Sequence, residues 1–122
     1  MAVAHPKLTR PPDTRTRLVF HERVQPELLH RARDLLGRFG VQVAVAEHRG
    51  QPAPGLVDAL RCLERAGVTY GLWPLLRPDE GYWLSSCNLE AATDHALGTL
   101  REHRAQGLRP RFVCLGVEPP LN

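Results

Sequence analysis

Acids and histidines meet at two points along this chain, His21 with Glu22 and Glu47 with His48, each directly after an apolar stretch. A third acid, Glu118, follows the apolar run from Phe112 to Val117 and precedes Pro119 and Pro120. Short apolar runs of this kind read as buried parallel strands, and the carboxyl ends of parallel strands are where α/β folds gather catalytic groups. Alternate positions of a strand share a face, so Phe112, Cys114, Gly116 and Glu118 lie together and Glu118 is aimed inward. Partial desolvation there would raise its pKa, as a general acid near neutral pH requires. Trp73, Tyr82 and Trp83 cluster around another strand exit, where aromatic faces stack on sugar rings. These three, with His21, Glu47 and His48, are the candidate substrate-binding set. A mixed site of Glu22, Glu47, His48 and Glu118 would alternatively suit a hard or borderline divalent ion. No HExxH or comparable compact metal spacing is present, and no cofactor is called for.

The elements that must position these groups follow from periodicity. Arg17 to Arg23 reads as a first strand. Pro26 suits a first helical turn, and Leu28, Leu29, Ala32, Leu35, Leu36 and Phe39 repeat at helical spacing until Gly40. Val41 to Ala46 is a second strand. Leu56, Val57, Leu60 and Leu63 give the buried face of a second helix closed by Gly67. Val68 to Leu76 is a third strand. Asn88 is placed to cap a third helix whose inner face would use Leu89, Ala92, Ala96, Leu97 and Leu100, with Gly107 ending it. A fourth strand, Phe112 to Val117, closes the series. The order β-α-β-α-β-α-β predicts a parallel sheet with right-handed crossovers over residues 17 to 122. Four strands and three helices make half of a (βα)8 barrel, or a small open sheet of flavodoxin-like kind, though that fold commonly ends in a helix. Residues 1 to 16, with Pro6, Pro11 and Pro12 and no periodicity, read as a flexible tail.

Composition limits the partners. The chain has 122 residues and a formal net charge of +3, and Lys7 is its only lysine. Its arginines are interspersed with acids rather than gathered into a stripe, so nothing marks a nucleic-acid surface. Cys62, Cys87 and Cys114 lie far apart without a CxxC pair, which implies neither a disulfide framework nor a zinc finger and suits a reducing, cytoplasmic setting. No stretch is long and apolar enough for a membrane span.

The combination Phe20-His21-Glu22-Arg23-Val24, Gly71-Leu72-Trp73-Pro74-Leu75-Leu76, Gly81-Tyr82-Trp83, Asn88 and Glu118-Pro119-Pro120 resembles the N-terminal half of a group of bacterial TIM-barrel proteins. These are similar to glycoside hydrolases, chitinase-like in the broad sense. The resemblance implies a carbohydrate-active or carbohydrate-binding module with Glu118 as proton donor. Such barrels usually carry Asp-x-Glu at the end of the fourth strand, whereas position 116 here is glycine. The second carboxylate would then have to be Glu22, Glu47 or a residue from the other half, and Glu22 is the catalytic candidate taken forward. A complete barrel needs about 250 residues, so the expectation is a module inactive alone that associates with itself or with a complementary half-barrel chain. A metal-dependent hydrolase or isomerase, and a non-enzymatic remnant or interaction module, are the competing readings.

Overall fold

A computed structural model describes residues 17–117. The residues expected as a tail, and Glu118, lie outside them. Within them the chain forms β1 (Arg17–His21), α1 (Pro26–Arg38), β2 (Val41–His48), α2 (Leu56–Arg65), β3 (Tyr70–Leu75), a 3-10 turn (Pro78–Glu80) and α3 (Leu89–Ala105). The strands make a parallel sheet in the order β1-β2-β3, so each helical crossover returns the chain to the neighbouring position.

Alternation along the strands sorts the core into two layers. Val43, Val45, Tyr70 and Leu72 face the helices and pack with Leu29 of α1 and with Leu56, Ala59, Leu60 and Leu63 of α2. The opposite face carries Ala44, Ala46, Trp73 and Leu75, and no described helix covers it. Instead Val24, Tyr82, Trp83, Phe112 and Cys114 pack there from loops. The register sets Phe20 of β1 beside Ala44 and Ala44 beside Gly71, so this face is built from small residues flanked by rings.

The run from Phe112 to Val117, expected as a fourth strand, makes only two isolated parallel bridges, Leu72 with Val113 and Leu84 with Val117. It begins as a ladder on β3: Leu72 N donates to Phe112 O at 3.0 Å and Cys114 N to Leu72 O at 2.8 Å. The next donor in that ladder would be the nitrogen of Pro74, which has no hydrogen. The segment therefore leaves β3, and Leu84 N donates to Gly116 O at 2.9 Å in its place. The expected alternation survives the break, with Phe112, Cys114 and Gly116 half-buried and Val113, Leu115 and Val117 exposed.

Helix α3 departs from expectation in which face it buries. Leu89 and Leu97, read as inward, are exposed, and the buried positions are Ala92, Thr99 and His103. The cause is Glu47: it lies on the helix-covered side of β2, so the helix passing over it must present polar partners. Asn88 does occupy the N-cap position, but its side chain does not cap the helix. It ties the preceding loop together, accepting from Ser85 N at 2.8 Å and donating to Glu80 O and Trp83 O at 2.9 and 2.8 Å.

Two glycines give opposite tests of this packing. A Cβ on Gly71 would lie 2.2 Å from the Phe112 ring, whereas one on Gly98, inside α3, would meet nothing within 4 Å. Gly71→Ala is expected to destabilise the protein by about 1–3 kcal/mol, and Gly98→Ala to stabilise it by up to about 1 kcal/mol, both read from urea unfolding midpoints.

Candidate functional site

The carboxyl ends of the strands divide the candidate residues between the two faces of the sheet. His21 pairs in register with Val45 on the helix-covered side. Its Nε2 accepts from Gln25 N at 2.9 Å, which holds the turn into α1, and burial keeps its pKa below the ordinary histidine value. Glu47 lies on that same side and its carboxylate meets His103 Nε2 at 2.8 Å. Neither side chain reaches the uncovered face.

Glu22 and His48 do come together there. The Tyr82 hydroxyl donates to Glu22 Oε2 at 2.7 Å. His48 Nε2 lies 2.9 Å from the main-chain oxygen of Glu22; a carbonyl only accepts, so this nitrogen carries a proton. The His48 and Tyr82 rings stand 6.2 Å apart. Burial, together with the hydrogen bond and charge of Glu22, pushes the Tyr82 phenol up to about 12, so it stays a donor throughout the physiological range. Tyr82 is also the one non-glycine residue with positive φ, 62°, among the described residues. A bulky aromatic in that region costs on the order of 1–2 kcal/mol, and the loop holds it there through Tyr82 N to Arg77 O at 3.1 Å and Leu76 N to Tyr82 O at 3.0 Å.

The aromatic groups form one continuous stack. Phe20 meets Trp73 edge-on with centroids 5.1 Å apart, Trp73 stacks on Trp83 at 5.9 Å, and Tyr82 meets Trp83 edge-on at 4.8 Å. Trp73, expected to offer a face to ligand, is buried in the middle of this stack, while Tyr82 and Trp83 are half-buried and Phe20 is 53% exposed. Phe20 is the member that sequence reasoning did not single out; its place two residues before Glu22, on the same strand face, was the available signal.

Gly116 explains how Trp83 sits so deep. A Cβ there would come within 2.7 Å of the Trp83 ring. Position 116 is thus the floor on which an indole rests. Among the described residues, no group of three or more His, Cys, Asp or Glu side chains could hold a metal ion, and the sheet itself separates Glu22 from Glu47. The three cysteines are free, and burial pushes the Cys114 thiol up, away from reactivity. No described helix is long and apolar enough to cross a membrane.

Comparison of the chain with protein families, curated proteins and solved structures finds no match. What the site can do is therefore read from its own groups: an anchored carboxylate, a histidine, and a partly exposed pair of rings at the carboxyl ends of parallel strands.

Two measurements test this geometry. Gly116→Asp is expected to expel Trp83, seen as a red-shifted tryptophan fluorescence maximum in the folded protein. Glu22→Ala removes both the hydrogen bond and the charge that raise the Tyr82 phenol and leaves burial, so the phenol midpoint, followed by ultraviolet absorbance, is expected to fall from about 12 toward the ordinary tyrosine value.

Proposed function

We propose that the chain is a glycoside-hydrolase-like half of a (βα)8 barrel, with its carbohydrate site on the sheet face that no described helix covers. The sequential strand order and the helices gathered on one face support this architecture, since winding in one direction builds barrels whereas doubly wound sheets reverse. The observation that carries the functional reading is the Glu22 carboxylate, anchored by the Tyr82 hydroxyl beside half-buried Trp83. A carboxylate so held is an acceptor aimed over the sheet, suited to stabilise the positive charge of an oxocarbenium-like transition state. Glu118, next in sequence after the described Val117, is assigned the proton-donor role, and Trp83 with Tyr82 the sugar platform. Trp73 supports that platform from beneath.

A barrel closes only when both sheet edges find strands. Val19 on the β1 edge and Val113, Leu115 and Val117 on the other are 49%, 40%, 51% and 71% exposed. Such surface is unusual for a free edge. The reading thus includes completion of the sheet by a second copy of the chain, which light scattering tests: a monodisperse, folded monomer at high concentration would count against it.

The binding test is a titration of the 122-residue chain with α- and β-linked oligosaccharides, followed through the tryptophan indole NMR signals. Binding that shifts the Trp83 signal and is lost in Trp83→Ala is the expected result. Glu22→Gln and Glu118→Gln should retain binding while abolishing any hydrolysis. Unmoved indole signals with every sugar would overturn the carbohydrate assignment.

A further inference from the structure

Helix α3 is fastened to the end of β2 by two histidines that both take hold of Glu47. His95 Nε2 lies 2.7 Å from the Glu47 main-chain oxygen, and His103 Nε2 lies 2.8 Å from Glu47 Oε1. The first contact needs no charge, because a neutral ring with its proton on Nε2 donates to a carbonyl. The second is different. His103 Nδ1 is 2.8 Å from Thr99 O, another carbonyl, so Nδ1 must carry a hydrogen. A neutral ring of that tautomer has a bare lone pair on Nε2, facing a carboxylate oxygen. The contact closes only if one further proton sits between Nε2 and Oε1. Both atoms are sealed from solvent and neither has another hydrogen-bonding partner, so no other group can relieve the repulsion once that proton leaves.

We propose that Glu47 and His103 form a proton-held latch, closed while the pair keeps its extra proton and open once it is lost, which fastens the C-terminal half of α3 to the end of β2. Gly98 supplies the hinge. It lies between the two histidines, and a side chain there would meet nothing within 4 Å, so no packing contact demands a glycine, while its backbone freedom weakens the helix at that point. On opening, His95 remains as the pin and the turn carrying Thr99 and His103 moves. The cleft of about 410 Å³ between α3 and the β2 end, lined by His48, Arg49, Asp94 and Glu102 among others, then widens.

The charged surroundings act in the same direction. Burial lowers the pKa of His103, but the hydrogen bond and charge of Glu47, the Thr99 carbonyl and the Glu102 carboxylate outweigh it and leave the value raised. Glu102 and Asp94 are on α3 itself. From β2 come Glu47 and His48, and from the turn just after it Arg49, which with His48 lines the cleft. From β3 comes the Tyr70 phenol, which feels the Glu47 charge and is itself pushed up, first by burial. Because the folded value is raised, the latch stabilises the fold fully below the ordinary histidine value of 6.5. That contribution is lost as pH rises through the folded value. Glu47 also precedes His48, whose ring holds the Glu22 carbonyl on the other face, so the latch is a positioning device for the strand end that bears the candidate site. It stands whether or not that site takes a sugar.

The test uses the intact chain. NMR titration of the His103 ring is expected to give a midpoint above the ordinary histidine value. Amide exchange at residues 99–105, corrected for intrinsic rates, should accelerate several-fold across that midpoint, while residues 92–95 stay unchanged. Glu47→Gln is the diagnostic variant: its amide N–H can donate to unprotonated Nε2, so the latch should stay closed at high pH and the exchange step should vanish. Gly98→Ala should shrink the step. A His103 midpoint at or below the ordinary value, or exchange at 99–105 independent of pH in the unsubstituted protein, would overturn the proposal without bearing on sugar binding.

Discussion

Everything in this structure depends on strand β2 being buried from both sides by different means. Its odd positions, Val43 and Val45, meet leucines from helices, and its even positions, Ala44 and Ala46, meet rings from loops. Alanine is what permits the second arrangement. Larger side chains on that face would hold Trp83 and Phe112 off the sheet, and the aromatic stack would lose its base. Gly71, next in register to Ala44, extends the same requirement into β3. The two faces are thus chemically unlike: one is a branched aliphatic interior of ordinary kind, the other a thin aromatic layer that solvent reaches.

Much of this could be read from residue order. The β-α alternation, Pro26 at the start of α1 and Gly40 at its end, and the arrival of Glu22 and His48 at one end of the sheet are properties of local pattern, and each is present in the fold. Glu47 and His48, which the sequence reads as one set, part at the strand end. Adjacent residues on a strand point to opposite faces, so Val43, Val45 and Glu47 belong together and His48 belongs with Ala46. The pattern was visible, but it required carrying strand parity to the last residue. The polar inner stripe of α3 was not legible in the same way, because only the helix-to-sheet contact tells His103 that Glu47 lies beneath it.

The glycine at position 116 takes its physical meaning from its neighbours. At Gly116 the backbone is bare and an indole occupies the space a side chain would take. The Trp83 ring and a side chain at 116 exclude each other. Beside this packing Glu22 presents its carboxylate, braced by a tyrosine held in a strained backbone.

Pro74 carries a further consequence. A ring nitrogen without a hydrogen stops the ladder between β3 and the following segment, and from that level upward the two backbones diverge. The divergence gives Trp83 its entrance. Had an ordinary residue stood at 74, the sheet would zip closed to its rim and the loop after β3 would have no slot to fill. The aperture of this surface is therefore set by one absent donor, a gap in main-chain pairing rather than a cavity among side chains.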